Sequence, residues 1–214
     1  MKTHRLLLLL LATASITGCA LLGAGGSSRE HSTIYAPDPR ITADAAWPAV
    51  RWQLSIAPAT AARMSDSLRV SVRPTPGELQ VYKGTSWAKT PTDMVEDALL
   101  RGLEDSGKIP AVARSGSGIA ADYKLVMDLR RFEADYAGAA TPSATVEVNA
   151  KLLHSIDQQV VASRTFIARQ PAASTAVPEV AAAFDPALSQ IASEMAGWIL
   201  QTGETHEREH PVKR

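Results

Sequence analysis

The chain has 214 residues, 45% of them apolar, with 22 basic side chains against 22 acidic ones and a single cysteine. This balance excludes the basic footprint that nucleic acid demands and the polybasic character of a membrane-surface protein. One cysteine excludes internal disulfides, and the length suits one domain plus tails.

Residues 1–18 read as a signal peptide: Lys2 and Arg5 precede the apolar run Leu6 to Ala12, and small or polar residues follow up to Gly18. The run is too short to span a bilayer core of about 30 Å, which takes ~20 apolar residues. The only cysteine comes next, and Ile16-Thr17-Gly18-Cys19 looks like a bacterial lipobox in which Ile16 stands where Leu is usual. The likeness implies signal-peptidase recognition through Ile16, Thr17 and Gly18. It also implies cleavage before Cys19 and covalent lipid on that cysteine; no cofactor is expected. Several acyl chains anchor stably where one does not. Ala20 rather than aspartate follows the cysteine, which by analogy with proteobacterial sorting implies the outer membrane, periplasmic face. Losing residues 1–18 removes Lys2 and Arg5 and leaves 196 residues with a net charge of −2.

Residues 19–40 read as the lipidated N-terminus and a flexible tether. Gly23, Gly25, Gly26, Ser27 and Ser28 precede Pro37 and Pro39, and Tyr35 is expected to open the ordered part as an edge segment. At about 5–6 Å × √n, such a tether reaches some tens of ångströms. The domain itself is predicted over 41–202. Trp52, Leu54 and Ile56 alternate with Gln53 and Ser55. Leu68, Val70 and Val72 alternate with Arg69, Ser71 and Arg73, and Leu79 and Val81 follow Pro74-Thr75-Pro76-Gly77. Period-two alternation marks half-buried strands, and the last two runs are expected to pair as a hairpin.

The period then changes. Met94, Val95, Ala98, Leu99 and Leu103 share one helical face, with Thr90 as N-cap, Pro91 in the first position and Gly107 as left-handed C-cap, so a helix is predicted over about 91–106. An apolar strand, Ile109 to Ala113, comes next. Tyr123, Leu125, Met127 and Leu129 then alternate with Lys124, Asp128 and Arg130. Phe132 is one residue out of phase, which a bulge near Arg130-Arg131 would repair. Val146, Val148, Ala150 and Leu152 form the cleanest alternation, and Val160 to Ala168 returns after a turn at Ser155 to Gln158. Three long strands with short turns indicate an antiparallel meander. Phe184, Leu188, Ile191, Met195 and Trp198 make the apolar stripe of a final helix. It begins either at Asp185-Pro186, with Asp185 as N-cap, or earlier, from Pro178, with a kink at Pro186. Residues 203–214 are almost wholly polar and are expected to be disordered. The predicted fold class is α/β of the α+β kind: a single domain with a mostly antiparallel sheet and two helices on one face.

Chemistry is sparse. His206-Glu207-Arg208-Glu209-His210 matches H-E-x-x-H, but zinc peptidases need that motif on a packed helix. Here it has polar neighbours and Pro211 behind it, so no metal is expected. There is no G-x-S-x-G, no P-loop and no dinucleotide fingerprint. His154 at a strand end is expected on the surface, as are Glu96-Asp97 and Glu104-Asp105 on a solvated helix face. No catalytic residue is assigned and the protein is not expected to be an enzyme. Trp87, ahead of the first helix, suits a hydrophobic staple. It and Trp198 are the candidate contacts for a partner or for lipid.

The parts together resemble the ABC-type transport auxiliary lipoprotein (PqiC-like) family over about residues 16–202. The likeness rests on the lipobox, the strand Trp52-Gln53-Leu54-Ser55-Ile56, the run Leu68-Arg69-Val70-Ser71-Val72 and Trp87-Ala88. It extends to Met94, Ala98, Leu99, Leu103, Ser106 and Gly107, to Asp122-Tyr123-x-Leu125-x-Met127-x-Leu129-x-x-Phe132, and to a closing helix with Trp198. Pro186 in that helix and the low aromatic content depart from the pattern. The resemblance implies a single domain with two helices on a mostly antiparallel sheet. It implies a lipoprotein of MCE-type systems, whose permease, ATPase and MCE-domain protein move lipid or organic solvent between the two membranes. On this expectation the partners are the MCE assembly, the membrane through the anchor and further copies of the chain, and no nucleotide is bound. The alternative is a lipoprotein scaffold or secretion and assembly factor without lipid cargo.

Overall fold

The computed structural model describes residues 32–210. The predicted signal peptide, residues 1–18, and the expected lipidation site Ile16, Thr17, Gly18 and Cys19 lie outside the described residues. The described chain begins with β1 (Thr33–Tyr35), β2 (Gln53–Ile56), β3 (Thr60–Ala61), β4 (Ser71–Arg73), β5 (Gln80–Val81) and β6 (Thr85–Trp87). Helix α1 (Pro91–Ser106) and β7 (Ala111–Arg114) lead into three long strands, β8 (Tyr123–Asp135), β9 (Ser143–His154) and β10 (Val160–Pro171). A short α2 (Val177–Ala182) and a long α3 (Phe184–Glu209) close the chain.

The main sheet runs β10-β9-β8-β2-β7, with β3 and β4 further along β8 and β5 paired to β4. The meander β8-β9-β10 is antiparallel throughout, as is the β4–β5 hairpin. By contrast β2 is parallel to both β7 and β8, and β3 and β4 are parallel to β8. The fold is thus an α+β domain whose sheet is antiparallel in its long strands and parallel where the early short strands join. Beside it, β1 pairs in parallel with β6.

One face of the sheet is apolar because the alternation along each strand is kept in phase. Leu54 and Ile56, Leu125, Met127 and Leu129, Val146, Val148, Ala150 and Leu152, and Phe166 with Ala168 all point inward and are buried. The register slips between Leu129 and Arg131, and this bulge returns Phe132 to the inner face. Helix α3 covers that face with Leu188, Ile191, Met195 and Ile199, and α1 packs beside it through Val95, Leu99 and Leu103. Thr90 Oγ1 accepts from the Asp93 N–H at 3.3 Å, Pro91 opens α1, and Gly107 at φ 62° closes it.

Of the two starts expected for the final helix, the one capped by Asp185 is not observed: helix begins earlier, at Val177, and breaks at Ala183 rather than kinking at Pro186, while the Asp185 carboxylate accepts the Asp38 N–H at 2.8 Å. A further expectation fails at the other end of α3. The polar tail expected to be disordered from Gly203 is helical through Glu209. The reason is packing on the sheet end: Gly203 lies flat against the buried Trp52 ring, and the next turn bonds to Tyr123. The segment after β1 is also fixed, since Asp38 accepts from Arg101 of α1 at 2.7 Å and from Arg40 at 2.6 Å. Those two bonds hold the Asp38 carboxyl below the usual carboxylate range.

Candidate docking surface

The long axis of the domain has two distinct ends. At one end the chain arrives through β1, where Tyr35, Trp87, Phe132 and the first residue of α3, Phe184, form an aromatic cluster with ring centroids 4.7–6.4 Å apart. Trp87 is 2% exposed within it. Its role is to wedge β6 and the start of α1 onto the sheet, and its ring offers no surface to a partner or lipid. Trp198 is half-buried on α3 with its ring 5.5 Å from Phe166, so only its rim is open. The structure therefore does not bring these two tryptophans together in one site.

The outer face of the sheet is polar and densely bonded. Arg73 donates to both oxygens of Glu133 at 2.7 and 3.0 Å, and Arg131 donates to Glu133 at 2.8 Å and to Asp135 at 2.5 Å. Burial opposes the charge on Asp135, but the Arg131 bond and the Ala137 N–H outweigh it and hold that carboxyl below its ordinary value. Further along, Asn149 bonds Thr165 at 3.0 Å and Lys151 bonds Asn149 at 3.1 Å. On β10 the pattern is looser. Among the described residues its outer edge has no strand partner, and Val160 and Ile167 are exposed on it. A twelve-residue edge strand with free backbone groups is a surface that another strand can extend.

At the far end the β9–β10 turn presents Ile156, which is 74% exposed. Behind it stand Tyr123, His154, His206 and His210. The fully buried Tyr123 hydroxyl is 2.8 Å from His206 Nδ1, 2.9 Å from Glu207 Oε1 and 3.4 Å from the Gly203 carbonyl. His154 Nδ1 is 3.1 Å from Asp157. Sequence reasoning placed His154 on the surface; it is buried beneath Tyr123, because the last turns of α3 cover that strand end. Glu96 is a second correction. It is buried rather than solvated, and accepts the Ala59 N–H at 2.5 Å, which ties α1 to the loop after β2. The visible signal for both is geometric: each needs the fold to supply its partner.

The H-E-x-x-H pattern is helical here, yet its histidines stack at 4.7 Å and His206 Nδ1 is engaged by Tyr123. Among the described residues no group of three or more His, Cys, Asp or Glu side chains is arranged to hold a metal. A cavity of about 110 Å³ between the β1 segment and α1 is lined in part by Asp38, Lys89, Asp97 and Arg101. A more open groove of about 400 Å³ beside the end of α3 is lined by Val161, Gln201, Thr202, Thr205, His206, Glu209 and His210. The first is lined by Ala36, Pro37, Pro39, Ala88 and Met94 as well, but its volume falls below the ~300 Å³ of an ordinary ligand pocket; the second is polar apart from Val161. Among the described residues no helix is long and apolar enough to cross a membrane.

Comparison with known proteins gives a consistent result. Residues 33–196 match the family model described as the ABC-type transport auxiliary lipoprotein component. The crystal structure of protein XCC0632 from Xanthomonas campestris is 58% identical, with a TM-score of 0.80 over 83% of this chain and 99% of that one. The crystal structure of an uncharacterized protein shares the fold at a TM-score of 0.59 and 13% identity, covering 77% of this chain and 97% of that one. A curated relative, the uncharacterized protein bll6063 of Bradyrhizobium diazoefficiens, is 26% identical over 185 residues, 86% of this chain and 49% of its own. The chain thus spans about half the length of that relative. With the matched segment running from β1 into α3, the chain belongs to the ABC-type transport auxiliary lipoprotein component family.

Proposed function

We propose that the protein is a non-enzymatic lipoprotein, held by Cys19 at the periplasmic face of the outer membrane, that docks an MCE-type ABC system for lipid or organic-solvent transport. The observation that favours a dock over a carrier is the filled core. The inner sheet face is covered by α1 and α3, and its large side chains, Trp52, Tyr123, Phe132, Phe166 and Phe184, are all at most 2% exposed. What is open is the β10 edge with Val160 and Ile167, a surface suited to a partner's strand or to another copy of the chain.

The test is co-purification of the membrane-extracted protein with an MCE-domain protein and its permease. Val160→Lys together with Ile167→Lys should abolish recovery of the partner while leaving the far-ultraviolet circular dichroism unchanged. Unaltered recovery would rule out the β10 edge, and repeated absence of an MCE partner from the wild-type preparation would sink the transport reading. Cys19→Ser should release the protein from membranes; a variant that still floats with them would refute the anchor. Phospholipid recovered by mass spectrometry from the delipidated domain would favour a carrier instead.

A further inference from the structure

We infer that the last two turns of α3, Gly203 to Glu209, form a proton-operated latch, closed on Tyr123 at neutral pH and opened when the His206 imidazole becomes charged. The inference stands on the hydrogen-bond geometry and does not depend on the docking reading. The latch also lies beyond the residues matched by the family, 33–196.

The Tyr123 hydroxyl has one proton and three neighbours: His206 Nδ1 at 2.8 Å, Glu207 Oε1 at 2.9 Å and the Gly203 carbonyl at 3.4 Å. An ionised carboxylate only accepts, so Glu207 takes the phenol proton. The imidazole must then donate to the phenol oxygen. The chain of bonds runs from His206 Nδ1–H to Tyr123 Oη–H to Glu207, and neutral His206 is thereby fixed as the Nδ1–H tautomer with Nε2 bare. The same rule at His154, whose Nδ1 faces Asp157 at 3.1 Å, makes its Nδ1 the donor as well. Any further proton must therefore go to an Nε2 atom.

Such protons meet each other. The His206 ring centroid is 5.1 Å from that of His154 on β9 and 4.7 Å from that of His210 on α3. The groups around His206 are Tyr123 on β8, His154 on β9, Asp157 in the turn, and Glu204, Glu207, Glu209 and His210 on α3, with Asp122 just ahead of β8 acting on Tyr123 and apolar Val161 of β10 lining the groove beside it. Arg208 adds a further positive charge on the same helix, bonded to the Glu204 carbonyl. Glu207 and Asp157 favour a positive charge on His206, but burial and the two neighbouring imidazoles outweigh them. Burial first, and then the neighbouring histidines, hold His206 below the ordinary imidazole value. A depressed imidazole favours the neutral, closed form. The latch is fully closed above about pH 6.5 and loses stability as pH falls through the lowered value. Opening lifts Gly203 off Trp52 and uncovers the Trp52–Tyr123 aromatic pair, whose centroids are 4.8 Å apart.

Hydrogen–deuterium exchange on the full chain at about pH 7.5 and about pH 5, expressed as protection relative to intrinsic rates, tests this. Protection of the Gly203–Arg208 amides should fall about tenfold for each pKa unit by which folding depresses the imidazole. Amides between Leu188 and Ile199 should keep theirs. His206→Asn keeps an N–H donor near the Nδ1 position but does not titrate, and should remove the pH dependence. Equal protection at both pH values, or the same fall in His206→Asn, overturns the latch. So does an Nε2–H tautomer of His206 in the nitrogen-15 spectrum at neutral pH.

Discussion

Replacing Gly203 by alanine sets helix propensity directly against packing. In an exposed helix interior, Gly→Ala stabilises by about 1 kcal/mol. At this position an added Cβ would lie 2.4 Å from Trp52 Cζ2, 2.8 Å from Cε2 and 3.0 Å from Cη2. Carbon atoms settle at about 3.5–4.0 Å, so three ring atoms would overlap the new methyl, the worst by about 1 Å. Trp52 is 1% exposed and braced edge-on against Tyr123, which leaves the ring no retreat. Overpacking of this kind costs about 1–3 kcal/mol, and the rigidity of the ring places it near the top of that range. Subtracting the propensity gain leaves a net loss of about 2 kcal/mol, or roughly 4–8 °C in melting temperature for a domain of this size. Urea denaturation and a thermal melt read this directly. In a Trp52→Phe background the same substitution should cost clearly less, because the overlapping benzo ring is gone. Gly102→Ala is the control: there the nearest atom, 2.5 Å away, is the flexible Cδ1 tip of Ile41, and the change should be mild. A Gly203→Ala protein as stable as wild type would refute the packing argument.

Other outcomes follow from the same structure. Glu133→Gln should destabilise by about 2 kcal/mol in urea, less than the 3–5 of a fully buried ion pair, because Arg73 and Arg131 keep 27% and 24% of their side-chain surface in water. No shift in the urea midpoint would show the cluster to be ornamental. Thr90→Ala should cost about 1 kcal/mol and fray the first turn of α1, measurable as faster amide exchange at Asp93 and Met94. Acid should act in two stages. Stability linked to His206 is lost as pH falls below about 6.5. That linked to Asp97 and Asp135 is present above about 3.9 and lost below it, since bonds from Lys89 and Arg131 outweigh burial and depress both carboxyls. A urea midpoint flat from about pH 7 to 5 would remove the first stage.

Local rules account for much of the fold. Helix α1 is legible because Thr90, Pro91 and Gly107 write its boundaries into consecutive residues, and the β8 bulge because Phe132 breaks a period of two. The β4–β5 hairpin and the meander are likewise set by short-range alternation and tight turns. The parallel pairings of β2, β3 and β4 were not legible, since each joins residues that the intervening chain separates widely and no local pattern marks them. The helical end of α3 was missed for a related reason. Gly203, His206 and Glu207 look like a solvated tail until Trp52 and Tyr123 are placed beneath them. Glu96 and His154 behave alike: a polar residue on a helix's charged face or at a strand end is exposed by default, and only tertiary contact shows otherwise. Of the contact candidates, Trp87 carried a staple signal in its position before α1, whereas the β10 edge has no sequence signature distinct from any half-buried strand.

The point at which the chain joins the sheet also has a mechanical side. Any pull transmitted from upstream of Thr33 arrives first at a three-residue strand, where Thr33 N–H is held by the Gly84 carbonyl at 2.8 Å and the Tyr35 carbonyl receives the Ala88 N–H at 2.8 Å. A strand drawn along its own axis loads such bonds together, in shear, whereas a sideways pull opens them one by one. Should they part, the next stop is Asp38, fastened to α1 through Arg101 and to α3 through Asp185. Force would then be shared between both helices before reaching the buried sheet, so a pull from upstream of Thr33 would not unravel the domain from that end.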